Sequence, residues 1–451
     1  MLVGLLACAH LARPYVPVDV SAPTSRVARV AALAGVRAAV AARALPTDLA
    51  TTLDHLGVPV LAAPADAAAV LAPEVEGGPP GAADPWAYVM FTSGSTGEPK
   101  GVPIRRSAVD HFAEWLLAEQ RPRPGAEVVL HQAPFSFDLS LMDLCLALGS
   151  GGTLFAVTRE LVADPRALFA ALGGSRLTIW VSTPSFARLV LAEPRFGEAM
   201  LPELRRFVFC GEPLAPAIAS ALLQRFPRAE VWNTYGPTEA TVAVTSIRVT
   251  AAMALAGTPL PVGHPAPGCR VWVSRPDLAP VADGERGEIV IAGPQVSPGY
   301  LEGSATGSAT CFCDLPPTLG GGRGYRTGDS GYLAEGLLYC EGRLDRQVKL
   351  HGYRLEPEEI EQRLRGLPGV DDAAVVVVMR GGAPDHLAAF AAMAAVGDSD
   401  PADEFARGRA LRTGLGQSLP SYALPRVIRV LTALPLTPNG KVDRRALESM
   451  L

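Results

Sequence analysis

Between Tyr88 and Asn233 short apolar runs alternate with stretches of helical spacing, and that alternation leaves few folds open. The runs Tyr88–Thr92, Glu127–Leu130, Thr153–Val157, Thr178–Val181, Arg206–Phe209 and Glu230–Asn233 are too short for buried helices and rich in β-branched and aromatic residues. They predict buried strands. Stretches between them, such as Asp164–Leu172 and Ala215–Phe226, predict helices. Strands alternating with helices mean an α/β fold with mostly parallel sheets. Upstream, the Ala/Val/Arg spacing predicts a helix over Ser25–Ala42 and a short strand at Val58–Leu61. The apolar start reads as the tail of a core helix running into a strand at Pro14–Asp19, so that the sequence opens in mid-fold.

After Val262 the texture changes to short strands and turns, at Cys269–Val273, Gly287–Ala292, Gly331–Leu333 and Leu337–Cys340, which predicts a β-rich subdomain. From about Arg346 a smaller α+β unit follows, with helices at Pro357–Leu364 and Ala402–Leu419 and strands at Ala373–Val378 and Val427–Leu431. The expected organisation is a large N-terminal region, 1–344, and a small C-terminal lid, 345–451. The Ala/Pro/Gly-rich segment 63–86 reads as a loose surface connection.

With Lys+Arg 40 against Asp+Glu 45, a net charge of −5, the 451 residues offer no global basic field for nucleic acid or an anionic membrane. The seven cysteines are odd in number and widely spread, and Cys311-x-Cys313 lacks the second pair a zinc site wants. That usage points to a reducing, cytoplasmic compartment.

The strongest local signal is Phe91-Thr-Ser-Gly-Ser-Thr-Gly-Glu-Pro-Lys-Gly101, directly after an apolar strand. Gly94, Gly97 and Gly101 free the backbone to bend, hydroxyls on Thr92, Ser93, Ser95 and Thr96 can surround phosphate oxygens, and Lys100 adds a positive charge. The spacing is neither that of the P-loop nor of the dinucleotide fingerprint. Taken alone it would be a solvated Ser/Gly turn. It resembles, however, the phosphate-binding loop of the adenylate-forming superfamily, which includes acyl-CoA synthetases, luciferases and the adenylation domains of nonribosomal peptide synthetases. Further segments match that superfamily in the same order: Asn233-Thr-Tyr-Gly-Pro-Thr-Glu239, Tyr325-Arg-Thr-Gly-Asp329, Gly342-Arg343 through Tyr353-Arg354, and Pro438-Asn-Gly-Lys-Val-Asp443. The ordered set outweighs the bland reading of each piece. Within the superfamily, Ala133–Ser140, Ser182–Phe186, Phe207–Glu212 and Tyr235–Val244 most resemble the ligases that load D-alanine onto a separate carrier protein. Such enzymes carry several dozen residues before the segment matching Met1.

The resemblance implies ATP and Mg2+ as cofactors. The nucleotide would be held by the loop residues Thr92 to Gly97 and Lys100, and by Asn233, Thr234, Tyr235, Gly236 and Thr238. Tyr235 would lie against adenine, Asp329 would accept from the ribose hydroxyls with Arg343 nearby, and Glu239 would reach the metal. Each role suits its chemistry: a carboxylate fits a diol or a hard cation, and an aromatic face fits a purine. Lys441 would touch both the substrate carboxylate and the α-phosphate and, with Glu239 and Thr92, carry the catalysis. Asp138 matches the aspartate that pairs with an α-ammonium, which implies a small amino acid as substrate. Leu139, Met142, Val208, Cys210, Thr234, Val242 and Ala243 would line its pocket, leaving room for about a methyl side chain. Asp345 resembles the family hinge, and rotation there would exchange Lys441 for a face made by Lys349, Gly352 and Tyr353, opening the way for the phosphopantetheine thiol of a carrier protein. Alternatives are a natural-product adenylation enzyme loading L-alanine, glycine or proline, and a truncated, non-catalytic nucleotide binder.

Overall fold

The computed structural model describes residues 1–41, 44–62, 84–94, 98–303, 311–380, 383–393, 401–437 and 441–451. The segment 63–83, Ser95–Gly97 of the Ser/Gly loop, and Pro438–Gly440 lie outside the described residues.

The central sheet has seven strands in the order His264–Pro265, Thr245–Val249, Glu230–Tyr235, Arg206–Phe209, Ile179–Ser182, Val128–His131, Thr153–Ala156. The five from Thr153–Ala156 to Glu230–Tyr235 run parallel, and Thr245–Val249 turns back antiparallel. Because side chains alternate across a strand, the continuous apolar runs supply two cores at once. Ile179, Val181 and Val208 face one layer with Phe112, Met142 and Leu146. Trp180, Phe207 and Phe209 face the other with Phe186 and Phe226, their rings in offset and edge contacts at 5.1–6.1 Å.

Tyr88–Thr92 is a strand within Trp86–Thr92, but it does not join the parallel sheet. It pairs antiparallel with Lys100–Arg105, Thr92 opposite Lys100, so the Ser/Gly loop is the connection of a hairpin. The expected helix over Ser25–Ala42 is also corrected. It spans Thr24–Ala34 and ends where Gly35 takes a left-handed cap at φ 58°, and Ala39–Ala41 is instead a strand parallel to Val60–Ala62. Pro14–Asp19 forms no strand beyond a single bridge of Tyr15 to Tyr88.

The β-rich subdomain is an antiparallel sheet of Arg270–Ser274, Gly287–Ala292, Arg323–Ala334, Phe312–Asp314 and Leu337–Arg343. Its tight turn at Glu335–Gly336 has both residues at positive φ, 53° and 75°, which matches the twist of the flanking strands. The C-terminal unit has its own core around Leu355, Ile360, Leu364, Val375, Ala389 and Leu415. It begins with a hairpin, Val348–Leu350 and Tyr353–Leu355, turned by His351 and Gly352 at φ 52° and 88°. A three-stranded sheet of Asp372–Arg380, Ala383–Ala392 and Val427–Leu431 follows, with helices Pro357–Arg365 and Pro401–Leu415. Among the described residues no helix is long and apolar enough to cross a membrane.

Candidate active site

The site forms where the carboxyl ends of the parallel strands, the Ser/Gly hairpin, the β-rich subdomain and the C-terminal hairpin meet. Thr92 ends its strand with a buried hydroxyl that has no partner among the described residues, in keeping with an oxygen-rich ligand at the loop. Beside it Ser93 donates its hydroxyl to the Arg354 carbonyl at 2.7 Å. Lys100 is buried, its ammonium 5.6 Å from the Tyr300 ring centre.

The strand Glu230–Tyr235 delivers a loop that carries most of the charge. Pro237 sets up a short 3-10 turn, Thr238–Ala240, which buries Glu239 completely. Burial alone would push its carboxyl up, yet it sits below the ordinary range because Arg354 and then Tyr300 outweigh that effect. Arg354 Nη1 lies 2.8 Å from each carboxylate oxygen, and the Tyr300 hydroxyl donates at 2.7 Å. With both oxygens engaged by a guanidinium, Glu239 suits a divalent cation only once Arg354 has withdrawn.

Asp329 is the second buried carboxylate. The Tyr235 hydroxyl donates to it at 2.6 Å, and Arg343 Nη1 lies 3.0 Å from its other oxygen. Arg343 also donates to the Thr327 carbonyl at 2.6 Å and forks onto Asp345 at 2.9 and 2.5 Å. Asp329, the candidate diol acceptor, and Asp345, the hinge candidate, are thus joined through one guanidinium.

Asp138, immediately before helix Leu139–Ser150, is 5% exposed. Burial holds its carboxyl above the usual range, opposed by the Thr238 hydroxyl and by Lys349. It opens onto a cleft of about 470 Å3 lined also by Leu139, Cys210, Gly236, Thr238, Val242, Asp329, Arg343, Lys349, Gly352 and Arg354. Met142, Val208 and Ala243 are fully buried in the layer behind. Asn233 and Thr234 do not line the cleft, their side chains donating to the carbonyls of Pro261 and Phe209 at 2.8 Å each. A second cleft of about 610 Å3 runs from Thr92, Asp138 and Thr238 past Tyr353 and Arg354 to Arg26, Glu359 and Tyr422, between the two domains.

Lys441 is not brought to this site. It is exposed, in a turn where its amide donates to Thr437 Oγ1 at 3.2 Å and its carbonyl accepts from Thr437 N at 2.7 Å. Lys349, Gly352 and Arg354 line the cleft beside Asp138, and Tyr353 lines the second cleft. The Gly352 amide donates to Glu212 at 2.6 Å, and Tyr353 stacks on Tyr422 at 3.8 Å and takes a hydrogen bond from Arg159. Arg354, Glu212 and Tyr300 were not singled out from sequence. Arg354 stood inside a quoted motif, but only its contact with a carboxylate 115 residues away reveals its part.

Two buried carboxylates, each paired with a guanidinium, and a third at the mouth of a cleft mark a site for polar, charged ligands, and comparison makes the class specific. The AMP-binding enzyme family matches residues 1–301 and its C-terminal domain family residues 359–441. The chain belongs to the AMP-binding enzymes, AMP-forming adenylating ligases that use ATP. It is 42% identical over 452 residues to a D-alanine--D-alanyl carrier protein ligase of Bacillus anthracis, covering 100% of this chain and 87% of that protein, and equally identical over 455 residues to the one of Bacillus cytotoxicus. Among solved structures it is similar to holo-PA1221, an NRPS protein containing adenylation and PCP domains, with a TM-score of 0.82 and 29% identity over 99% of this chain and 73% of that one. The Vibrio cholerae adenylation domain AlmE in complex with glycyl-adenosine-5'-phosphate shares the fold at a TM-score of 0.79 and 23% identity, covering 99% and 85%.

Proposed function

We propose that the protein activates a small amino acid, D-alanine before others, as aminoacyl-AMP and then passes it to the phosphopantetheine thiol of a separate carrier protein. The observation that carries this reading is Asp138, buried above its ordinary pKa at the end of a cleft walled by Cys210 and Val242. An α-ammonium beside it would restore its ionised form, while the wall leaves little space for a side chain. Kinship to D-alanine-loading ligases supports the substrate.

In the first step the amino-acid carboxylate attacks the α-phosphorus of ATP, the acyl–phosphate bond forms and pyrophosphate leaves. Asp138 orients the ammonium, Thr92 and Lys100 meet phosphate oxygens, and Asp329 accepts from the ribose. Lys441, carried in by rotation of residues 345–451 about Asp345, neutralises charge at the α-phosphate. Glu239, freed from Arg354, would hold Mg2+, which when bound supplies charge neutralisation at the phosphates. In the second step the hairpin returns, the thiol attacks the acyl carbon and AMP leaves. The arrangement seen, with Lys441 away and Lys349–Arg354 docked, supports this second-step geometry.

Amino-acid-dependent exchange of pyrophosphate into ATP, run with both alanine enantiomers, glycine, serine and proline, tests the reading. Preference for D-alanine supports it. Preference for L-alanine, glycine or proline assigns the protein to a natural-product pathway, and silence from the folded chain overturns both.

A further inference from the structure

The loop that carries Glu239 continues into Thr241 and Val242, whose φ values are 56° and 68°. Two consecutive β-branched residues in left-handed backbone are strained and persist only where surrounding groups over-determine them. The side chain that does so comes from a distant segment. Gln295 is wholly buried beneath the loop, and its Nε2 donates to the Ala243 carbonyl at 2.7 Å, with the Thr241 and Ala240 carbonyls at 3.3 and 3.4 Å. The Gln295 backbone carbonyl accepts from Thr241 Oγ1 at 2.8 Å. The side-chain amide is oriented by the three backbone carbonyls on its donor side and by the Cys269 thiol, which donates to Oε1 at 3.6 Å, and His111 Nδ1 lies 3.0 Å from the same oxygen. From the cleft side, Cys210 Sγ donates to the Val242 carbonyl at 3.5 Å.

We propose that Gln295 is a positioning residue for substrate choice: by holding Thr241–Val242 in left-handed backbone it fixes how far Val242 and Cys210 project towards Asp138. The proposal rests on the small-amino-acid reading above. It separates the two ends of the loop, because the Glu239 carbonyl is held by the Ser297 amide at 2.8 Å and not by the Gln295 side chain. Relaxing Gln295 therefore widens the amino-acid end and leaves the nucleotide end in place.

The test measures kcat/KM for alanine and for valine by pyrophosphate exchange in wild type, Gln295→Met and His111→Leu. Methionine keeps the bulk of glutamine without its hydrogen bonds. In Gln295→Met the alanine-to-valine ratio is expected to fall about tenfold or more, the scale on which apolar pockets discriminate, while KM for ATP stays within about twofold. His111→Leu removes only one orienting contact and shifts the ratio in the same direction by less. A double variant, Thr241→Gly with Gln295→Met, recovers part of the ratio because glycine adopts φ 56° without strain. An unchanged ratio in folded Gln295→Met overturns the proposal, as does a uniform loss of kcat and of both KM values, the mark of a merely structural role. Should Gln295→Met not fold, an unchanged ratio in His111→Leu overturns it. A wild-type enzyme inert towards every small amino acid would instead overturn the proposed function.

Discussion

Replacing Arg354 by methionine separates the two half-reactions. In the docked arrangement Arg354 supplies the positive partner of Glu239, a carboxylate with no exposed surface, at 2.8 Å from each oxygen. Methionine keeps much of the stem and removes the charge. Stripping one partner from a buried ion pair costs about 3–5 kcal/mol, since the other charge stays desolvated. The Tyr300 hydroxyl still donates to Glu239, which favours the lower end of that range. The cost falls only on the docked arrangement, because withdrawal of the hairpin opens Glu239 to other partners. At about 1.4 kcal/mol per tenfold, docking becomes roughly 10²-fold less favourable.

Single-turnover transfer of preformed aminoacyl-AMP to a phosphopantetheinylated carrier protein should then slow by about two orders of magnitude, while pyrophosphate exchange stays within a few-fold. The pH dependence carries a second signature. With Arg354 gone, burial acts on Glu239 unopposed and raises its pKa, so transfer by the variant recovers as pH falls and the carboxyl is buried neutral. Equal losses in both half-reactions, or transfer at the wild-type rate, would refute the assignment of Arg354 to the docked arrangement.

Gly352→Ala should give the same split by a steric route. A Cβ there lies 2.9 Å from Thr183 Cγ2 and 3.1 Å from Phe137 Cε1, at φ 88°, so transfer is lost while exchange is kept, as the same two assays will show. Lys441→Ala should reverse the split, lowering exchange by roughly 10²-fold or more; its side chain is exposed, so the thermal midpoint should not move. Asp143 is fully buried beside His131, 3.0 Å from Nδ1, and burial raises its pKa to about 6. A carboxyl raised in the fold stabilises below its unfolded pKa and loses that contribution as pH rises through the folded value, so wild type should lose about 2 kcal/mol relative to Asp143→Asn between pH 4 and pH 7 in urea titrations; a pH-independent difference would refute the buried-acid reading.

Strands with sharp flanks were legible to the residue, as Arg206–Phe209 and Val427–Leu431 show. Helix Leu139–Ser150 was not, because it is buried on most sides and LSLMDLCLALGS has no polar face to set a period. The over-long helix from Ser25 missed a stop signal that was present, Gly35. Pro103 disguised the strand Lys100–Arg105, since proline is at home only at a sheet edge, and that hid the hairpin behind the Ser/Gly loop. At the site, Asp138, Cys210, Val242, Lys349 and Gly352 were found from ordered motifs and meet in one cleft. Arg354 and Gln295 escaped because their meaning lies in contacts across more than fifty residues, with Glu239 and with the carbonyls of 240–243.

On the proposed reading, the loop from Tyr235 to Ala243 concentrates three tasks on nine residues, and its anchoring keeps them independent. Tyr235 joins Asp329 at one end, Glu239 meets Arg354 of the C-terminal hairpin in the middle, and Val242 walls the cleft beside Asp138 at the other. A flexible loop would let each ligand disturb the others. Here Ser297 holds the carbonyl of Glu239 and Gln295 those of Ala240, Thr241 and Ala243, both from one segment, while the Ser297 hydroxyl is itself tied to Pro103 of the strand paired across the Ser/Gly hairpin at 2.8 Å. Arg354 can therefore come and go at Glu239 as a side-chain exchange on fixed backbone. Backbone strain at Thr241 and Val242 is what this anchoring costs, and it falls on the two residues to which the proposed choice of side chain is assigned.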